Sequence, residues 1–221
     1  MPPLAQVTPD TADLERADAG SVLAWAAEHF GVESIVCTAS FQNAALVHLV
    51  ATHAPGVEVV LIDTDYLFDE TWAFVEQLRS LYDFPFRVVR PAPGVERDGL
   101  WERDADACCH IRKVEPLERA LAGKSAWITG VRRAVASTRT HTPVVTFDLK
   151  RNVTKFNPMA AWSHEDHDAY QLQHGLPQHP LAAQGYASIG CWPCTRAVAP
   201  GEDRRAGRWA GQAKLECGLH L

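Results

Sequence analysis

Short β-rich runs alternate with amphipathic helical runs along this chain, which predicts an α/β fold: a mostly parallel sheet with helices on both faces. Two other observations bound that prediction. The chain has 221 residues, 47% of them hydrophobic, enough for one sizeable core. It also shows no internal repeat and no low-complexity stretch, so a single domain is the default.

The elements follow in order. Residues 34–38, carrying Ile35, Val36 and Cys37, read as the first strand, with a helix over about 43–53. Residues 57–62 make the second strand. Phe74, Val75, Leu78, Leu81 and Tyr82 then recur at the 3.6-residue period of one helix face. Residues 86–89 and 126–129 are the third and fourth strands. Ligands in such sheets bind beyond the carboxyl ends of the strands. Ahead of the first strand, Leu14, Val22, Trp25, Ala26 and Phe30 suggest an amphipathic helix that either covers the sheet or meets another subunit in a homo-oligomer. The final third is cut by Pro158, Pro177, Pro180, Pro193 and Pro200. Residues 182–190 read as loop, and 201–221 as an irregular, polar, glycine-bearing tail that packs weakly and moves. The division predicted is therefore a domain over 1–200 and a mobile tail over 201–221.

Charge and composition exclude some classes. A net charge of −6 argues against a dedicated nucleic-acid binder. No run of eighteen apolar residues predicts a membrane span, and Met1-Pro2-Pro3-Leu4 lacks the basic-then-apolar layout of a secretory signal. The expected compartment is the cytoplasm, where clustered cysteines bind metal or do chemistry more often than they form disulfides.

Cysteines fall into two close pairs and two single residues. Cys108-Cys109 is a tandem pair, and Cys191 and Cys194 form Cys-x-x-Cys within Gly190-Cys191-Trp192-Pro193-Cys194. Redox dithiols and zinc sites share the second spacing. Adjacent cysteines suit one tetrahedral ion poorly, whereas a cubane offers each its own iron, so the two pairs favour an iron–sulfur cluster over zinc. Cys37 lies in an apolar run and reads as a small buried hydrophobe. Cys217 stands on the tail, a poor place for a structural cysteine and a good one for a nucleophile that visits a substrate and then a reductant.

Several segments are suited to an anion. Ser40-Phe41-Gln42-Asn43 joins the first strand to its helix, where backbone N–H groups can cradle a phosphate or sulfate. Asp63-Thr64-Asp65-Tyr66 ends the second strand. Arg132-Arg133 and Ser137-Thr138-Arg139 follow the fourth, Arg112-Lys113 follow the tandem cysteines, and Arg204, Arg205 and Arg208 lie on the tail. Basic clusters of this kind in an acidic protein point to a focused anionic site.

These residues resemble the sulfonucleotide reductases, and specifically the assimilatory adenylylsulfate (APS) reductase branch. The likeness is carried by Cys108-Cys109-x-x-Arg112-Lys113-x-x-Pro116-Leu117, by Thr129-Gly130-x-Arg132-Arg133 and by Lys155-x-Asn157-Pro158. It continues through Gln184-Gly185-Tyr186-x-Ser188-Ile189-Gly190-Cys191-Trp192-Pro193-Cys194 and through Lys214-x-Glu216-Cys217-Gly218-Leu219-His220. The family's Asp-Thr-Gly after the second strand reads Asp63-Thr64-Asp65 here, and the loop 40–43 lacks the acidic residue that many members carry.

The resemblance implies a doubly wound sheet of the adenine-nucleotide alpha-hydrolase type, with a [4Fe-4S] cluster on Cys108, Cys109, Cys191 and Cys194. It implies reduction of adenylylsulfate to sulfite and AMP with electrons from a thioredoxin-like protein, through an S-sulfo group on Cys217. Lys113, Arg205 and Arg208 would hold the phosphate and sulfate, Arg139 and Ser40 would help seat the nucleotide, and Arg112 would serve either the substrate or the cluster. Members using the 3′-phosphorylated nucleotide (PAPS) usually lack both cysteine pairs, so APS is favoured. His220 either lowers the Cys217 pKa or is a solvated terminal histidine. An ATP pyrophosphatase of the same fold is a rival that wants a Ser-Gly-Gly-x-Asp-Ser loop where 40–45 offers Ser-Phe-Gln-Asn-Ala-Ala. A zinc-stabilised binding module is another, and it leaves Cys217 unexplained.

Overall fold

The computed structural model describes residues 11–220, so the reading of the first residues as lacking a secretory signal lies outside the described residues. A short turn of helix, α1 (Thr11–Leu14), precedes α2 (Ala19–Phe30), β1 (Ile35–Thr38), α3 (Ala45–His53), β2 (Glu58–Ile62), α4 (Asp69–Leu81) and β3 (Phe86–Val89). Then come α5 (Leu100–Arg103), α6 (Ala105–Cys109), α7 (Glu115–Leu121), β4 (Ala126–Thr129), β5 (Val145–Asp148), β6 (Val153–Phe156) and α8 (His164–Gln173).

Among the described residues six strands form one sheet in the order β3-β2-β1-β4-β6-β5, parallel except for the antiparallel β5–β6 pair. The chain builds outward from β1 to β3 and then returns to lay β4 on the other side of β1. Connections therefore leave β1 and β4 in opposite directions, which opens a crevice at their carboxyl ends.

The period-2 alternation of strand side chains decides what each face holds. Ile35, Cys37, Val59, Leu61 and Ile128 point to one face, where α2, α3 and α4 supply Val22, Leu23, Val47, Val50, Phe74 and Leu78. Val36, Val60 and Trp127 point to the other, where α7 supplies Leu117, Ala120 and Leu121. The helix before the sheet thus covers it. Cys37 is fully buried, as expected of a small hydrophobe, and burial pushes its thiol pKa up. Leu81 departs from its assigned face: it is 55% exposed on the last turn of α4.

α8 lies in the third of the chain that reads as broken by prolines, and β5 just ahead of it. β5 is an edge strand with one buried residue, and α8 is polar nearly all round, held by a capping box between Ser163 and Asp166. Among the described residues no helix is long and apolar enough to cross a membrane.

Candidate active site

Both cysteine pairs are placed by local backbone chemistry. Asp104 caps α6 by accepting the Ala107 N–H at 2.8 Å, so Cys108 and Cys109 ride on its last turn. Pro116 then has no N–H to give to the carbonyl of Arg112, and the ladder slips into a π-helical turn, His110–Val114, in which Glu115 N–H reaches the carbonyl of His110. Across from it, the Cys-x-x-Cys loop is stitched to the β2 exit: Trp192 N–H donates to the Tyr66 carbonyl at 2.8 Å, and Leu67 and Cys191 form an antiparallel bridge. The four thiols and the Arg112 and Lys113 side chains line one small pocket with Tyr66 and Trp101.

That pocket can be tested for a metal group. All four cysteines are free thiols. Burial raises Cys108 to about 11, helped by the neighbouring charges of Cys109, Cys191 and Cys194. Burial likewise pushes up Cys109 and Cys194, each with Cys191 adding to it. The Thr64 hydroxyl lies 3.1 Å from Cys191 Sγ. Among the described residues no three His, Cys, Asp or Glu side chains converge closely enough to hold one metal ion. Four free thiols gathered around one pocket are a donor set of the kind that holds a cysteine-ligated cluster.

Arg112 lines this pocket and not the second cavity described below. It is 2% exposed, pairs with Asp65 at 2.5 Å, donates to the carbonyls of Thr64 and Glu96, and lies 4.7 Å from the Tyr66 ring. Asp65 has φ +61°, the left-handed conformation for which glycine is the cheapest residue. This chain keeps that turn with an aspartate, whose ion pair with Arg112 offsets the strain.

The second cavity opens at the carboxyl ends of β1, β2 and β4, where the switch of strand order predicts it. Ser40, Lys113, Arg139, Arg205, Arg208 and Cys217 all line it. Ser40 enters from a loop whose next residue, Phe41, is buried with φ +53°, a strained conformation for a bulky side chain. Gln42 Oε1 of that loop accepts the Ile189 N–H at 3.3 Å and so ties it to the Cys-x-x-Cys segment. Lys113, inside the π turn, lines both this cavity and the cysteine pocket. Not every predicted basic residue arrives. Arg133 pairs with Glu15 at 2.8 Å, Arg132 donates to the Ser163 carbonyl at 2.8 Å, and Arg204 lies 3.9 Å from Asp168.

Residues 201–220 pack more closely than their composition predicts. Trp209 is 3% exposed beneath the Arg208 guanidinium, 4.6 Å from its ring. Thr195 bridges Arg208, Arg196 N–H meets the Gly207 carbonyl at 2.9 Å, and Leu219 packs on the α7 face of the sheet. A Cβ at Gly207 would run into the Arg196 carbonyl, so close approach requires glycine there, whereas one at Gly190 would meet only the end of the Arg208 side chain.

Electrostatics separate Cys217 from the other thiols. Burial raises its pKa, but Lys113, the Leu219 N–H and Arg208 outweigh that and bring it below the ordinary thiol value. Lys113 is the reciprocal case: burial opposes its charge, and Cys191, Cys217 and Cys109 overcome that and raise its pKa. His220 takes neither of its two expected roles. It stacks on Trp127 at 5.6 Å and 17°, and burial together with Lys155 and Arg139 drives its pKa well below the ordinary value. A neutral ring cannot supply the charge that would stabilise the Cys217 thiolate.

With this geometry in hand, comparison with known proteins is decisive. The model of the phosphoadenosine phosphosulfate reductase domain matches residues 34–197. The chain belongs to that family. It is 47% identical to an adenosine 5′-phosphosulfate reductase of Streptomyces coelicolor, covering 94% of this chain and 90% of the relative. It is 43% identical to the protein of that name from Mycolicibacterium smegmatis, over 95% of this chain and 91% of the relative. Among solved structures, a phosphoadenylyl-sulfate reductase from Candida auris in a phosphate complex superposes with a TM-score of 0.73 and 26% identity, over 88% of this chain and 99% of that one. A Candida glabrata FMN adenylyltransferase shares the fold at a TM-score of 0.61 and 13% identity, over 86% of this chain and 69% of that one. The adenine-nucleotide alpha-hydrolase-like fold implied by the family resemblance is therefore the fold observed.

Proposed function

We propose that this member of the reductase family reduces adenosine 5′-phosphosulfate to sulfite and AMP for sulfate assimilation in the cytoplasm, with a thioredoxin-like dithiol as reductant. The observation that carries it is a cysteine of lowered pKa sharing one cavity with Lys113, Arg139, Arg205 and Arg208. A sulfuryl–phosphate substrate carries several negative charges, and an incoming thiolate adds another. Cations already in place in a water-poor cavity are worth most there.

The steps follow from the residues. Cys217 thiolate attacks the substrate sulfur, the S–O bond to the phosphate breaks, and AMP leaves with that electron pair. Cys217 now carries an S-sulfo group. A thiolate of the reductant attacks Cys217 Sγ, sulfite departs with the S–S electron pair, and a mixed disulfide remains. The second thiol of the reductant resolves it and restores Cys217, so the two electrons come from the dithiol. Lys113, with Arg208, holds charge against the sulfuryl group throughout.

Cys108, Cys109, Cys191 and Cys194 would hold a [4Fe-4S] cluster, whose positive irons let four thiols stay ionised in an apolar pocket. Seating those residues also fixes Lys113, only four positions beyond Cys109. Anaerobically purified protein should contain iron and acid-labile sulfide, and should release sulfite from APS with a dithiol reductant. The family also includes enzymes acting on PAPS, and kcat/KM for the two nucleotides decides between them; the paired cysteines favour APS. A PAPS preference, or no sulfite from either nucleotide, would overturn the reading.

A further inference from the structure

We infer that a further cavity, between the first turn of α8 and residues 198–205, binds the phosphate or sulfate group of a small polar molecule through Arg132, His167 and Arg204. It lies outside the substrate cavity, and no step of the reaction uses it. Its volume is about 590 Å³, inside the range of about 300–1,000 Å³ that small-molecule sites occupy. Gln42, Gln171, Gln178, Tyr186 and Ser188 give it a hydrogen-bonding wall.

The sequence places Arg132 and Arg204 in basic clusters suited to an anion; neither lines the substrate cavity, and both line this one. Arg132 is 7% exposed and gives one N–H to the Ser163 carbonyl, and among the described residues no carboxylate pairs with it. Burial and the neighbouring Arg204 push its pKa down, so each guanidinium disfavours the other's charge until an anion joins them. Arg204 lies 3.9 Å from Asp168, at the outer limit of an ion pair. The other charged groups in the wall are engaged elsewhere: Glu202 with Arg196 at 2.9 Å, and Arg205 with Glu216 at 3.5 Å. Two guanidiniums therefore face one loosely held carboxylate.

His167 is the second, independent sign of a ligand. Its Nδ1 lies 3.2 Å from Asp168 Oδ1 and 3.4 Å from Gln171 Nε2, while Nε2 is buried with no hydrogen-bond partner among the described residues. The ring is 5% exposed and lines the cavity. One turn earlier on the same face of α8, Nδ1 of His164 is likewise buried without a partner among those residues. Buried polar atoms of a folded protein are satisfied with few exceptions. An oxyanion accepts on several oxygens at once, from imidazole N–H groups as readily as from a guanidinium fork. A cation fits worse: Arg132 and Arg204 repel it, and among the described residues no three His, Cys, Asp or Glu side chains converge on a metal ion. Gln42, Asn43, Ile189 and Arg205 are shared with the substrate cavity, so a ligand here sits behind the wall of that cavity without entering it.

The test is equilibrium dialysis of the iron-loaded enzyme against labelled inorganic phosphate, with saturating AMP present to fill the nucleotide site. The parent enzyme should still bind phosphate. Arg204→Gln and His167→Phe should each weaken that binding by roughly ten-fold or more, the loss expected for a charge-assisted hydrogen bond. Both should leave kcat/KM for APS unchanged, and Lys113→Ala should leave phosphate binding unchanged. Arg204→Gln, at a half-exposed position, carries the decision should the buried His167→Phe fail to fold. Glycerol 3-phosphate should displace the phosphate at lower concentration than sulfate does, because the polar wall offers partners to its hydroxyls; equal or weaker displacement would overturn the assignment to a small molecule. Phosphate binding untouched by either variant, or lost with Lys113→Ala, would lie in the substrate cavity and overturn the site, as would no binding to the parent enzyme. Failure of AMP to bind would count against the reading of the substrate cavity alone, and the effect of Arg204→Gln on phosphate would still decide this one.

Discussion

Two thiol neighbourhoods lie on either side of Lys113, and they are opposite in character. Around Cys108, Cys109, Cys191 and Cys194 the walls carry Tyr66 and Trp101 beside Arg112 and Lys113, and burial, with neighbouring thiols adding to it, makes Cys108, Cys109 and Cys194 resist ionisation. Around Cys217 the walls carry Lys113, Arg205 and Arg208, and ionisation becomes easier. The same functional group resists ionisation in one place and yields to it in the other because of what surrounds it. Residue type alone says little; burial and the charge within a few ångströms decide together.

Four experiments would break or sharpen that contrast. The largest effect belongs to Cys217→Ser: sulfite release should fall by at least about 1,000-fold, as for loss of a covalent nucleophile, with iron content unchanged. Retained turnover would remove the nucleophile from this cavity. Next, Lys113→Ala should lower kcat/KM by roughly 100-fold or more. It should also move the labelling profile of Cys217: in the parent enzyme the rate rises with pH through a midpoint below the ordinary thiol value of about 8.5, and the variant's midpoint should lie higher. A profile that stays put would show that Lys113 does not set the charge of Cys217.

Third, Cys194→Ser should lose iron and sulfide while Cys217 still labels with iodoacetamide; simultaneous loss of labelling would mean the two neighbourhoods are not separable. The smallest effect is expected from Asp65→Gly. Relief of a left-handed aspartate and loss of the Arg112 ion pair act in opposite directions, so the Tm should move by less than about 4 °C. A larger fall would assign Asp65 a greater share in holding the cysteine pocket.

Much of the frame was legible in advance. The central strands announced themselves as β-rich runs between turn residues, and Cys37 as one of their buried members. Side chains destined for the cavity were legible mainly because short motifs carried them. Long-range partnerships were not. Nothing in local patterning says that Glu216 will meet Arg139, 77 positions earlier, or that His220 will lie flat on Trp127. Those contacts depend on how the tail crosses the sheet, which neither propensity nor periodicity encodes. The polar helix α8 was missed because it buries little, so its sequence lacks the apolar stripe by which helices are recognised. Arg132, Arg133 and Arg204 show the converse error: basic residues near a site read as its ligands until each is seen to have another carboxylate or carbonyl to serve.

The π turn at His110–Val114 makes the phase of one helix a determinant of chemistry. The slip traces to Pro116, which has no N–H for the Arg112 carbonyl, so Pro116→Ala would let that bond form and the turn close in regular α-helical register. Lys113 sits inside the turn and lines both the cysteine pocket and the second cavity, so its place would shift with it. A missing N–H on one proline thereby sets the spacing between a pair of cysteines and the cation that both cavities share.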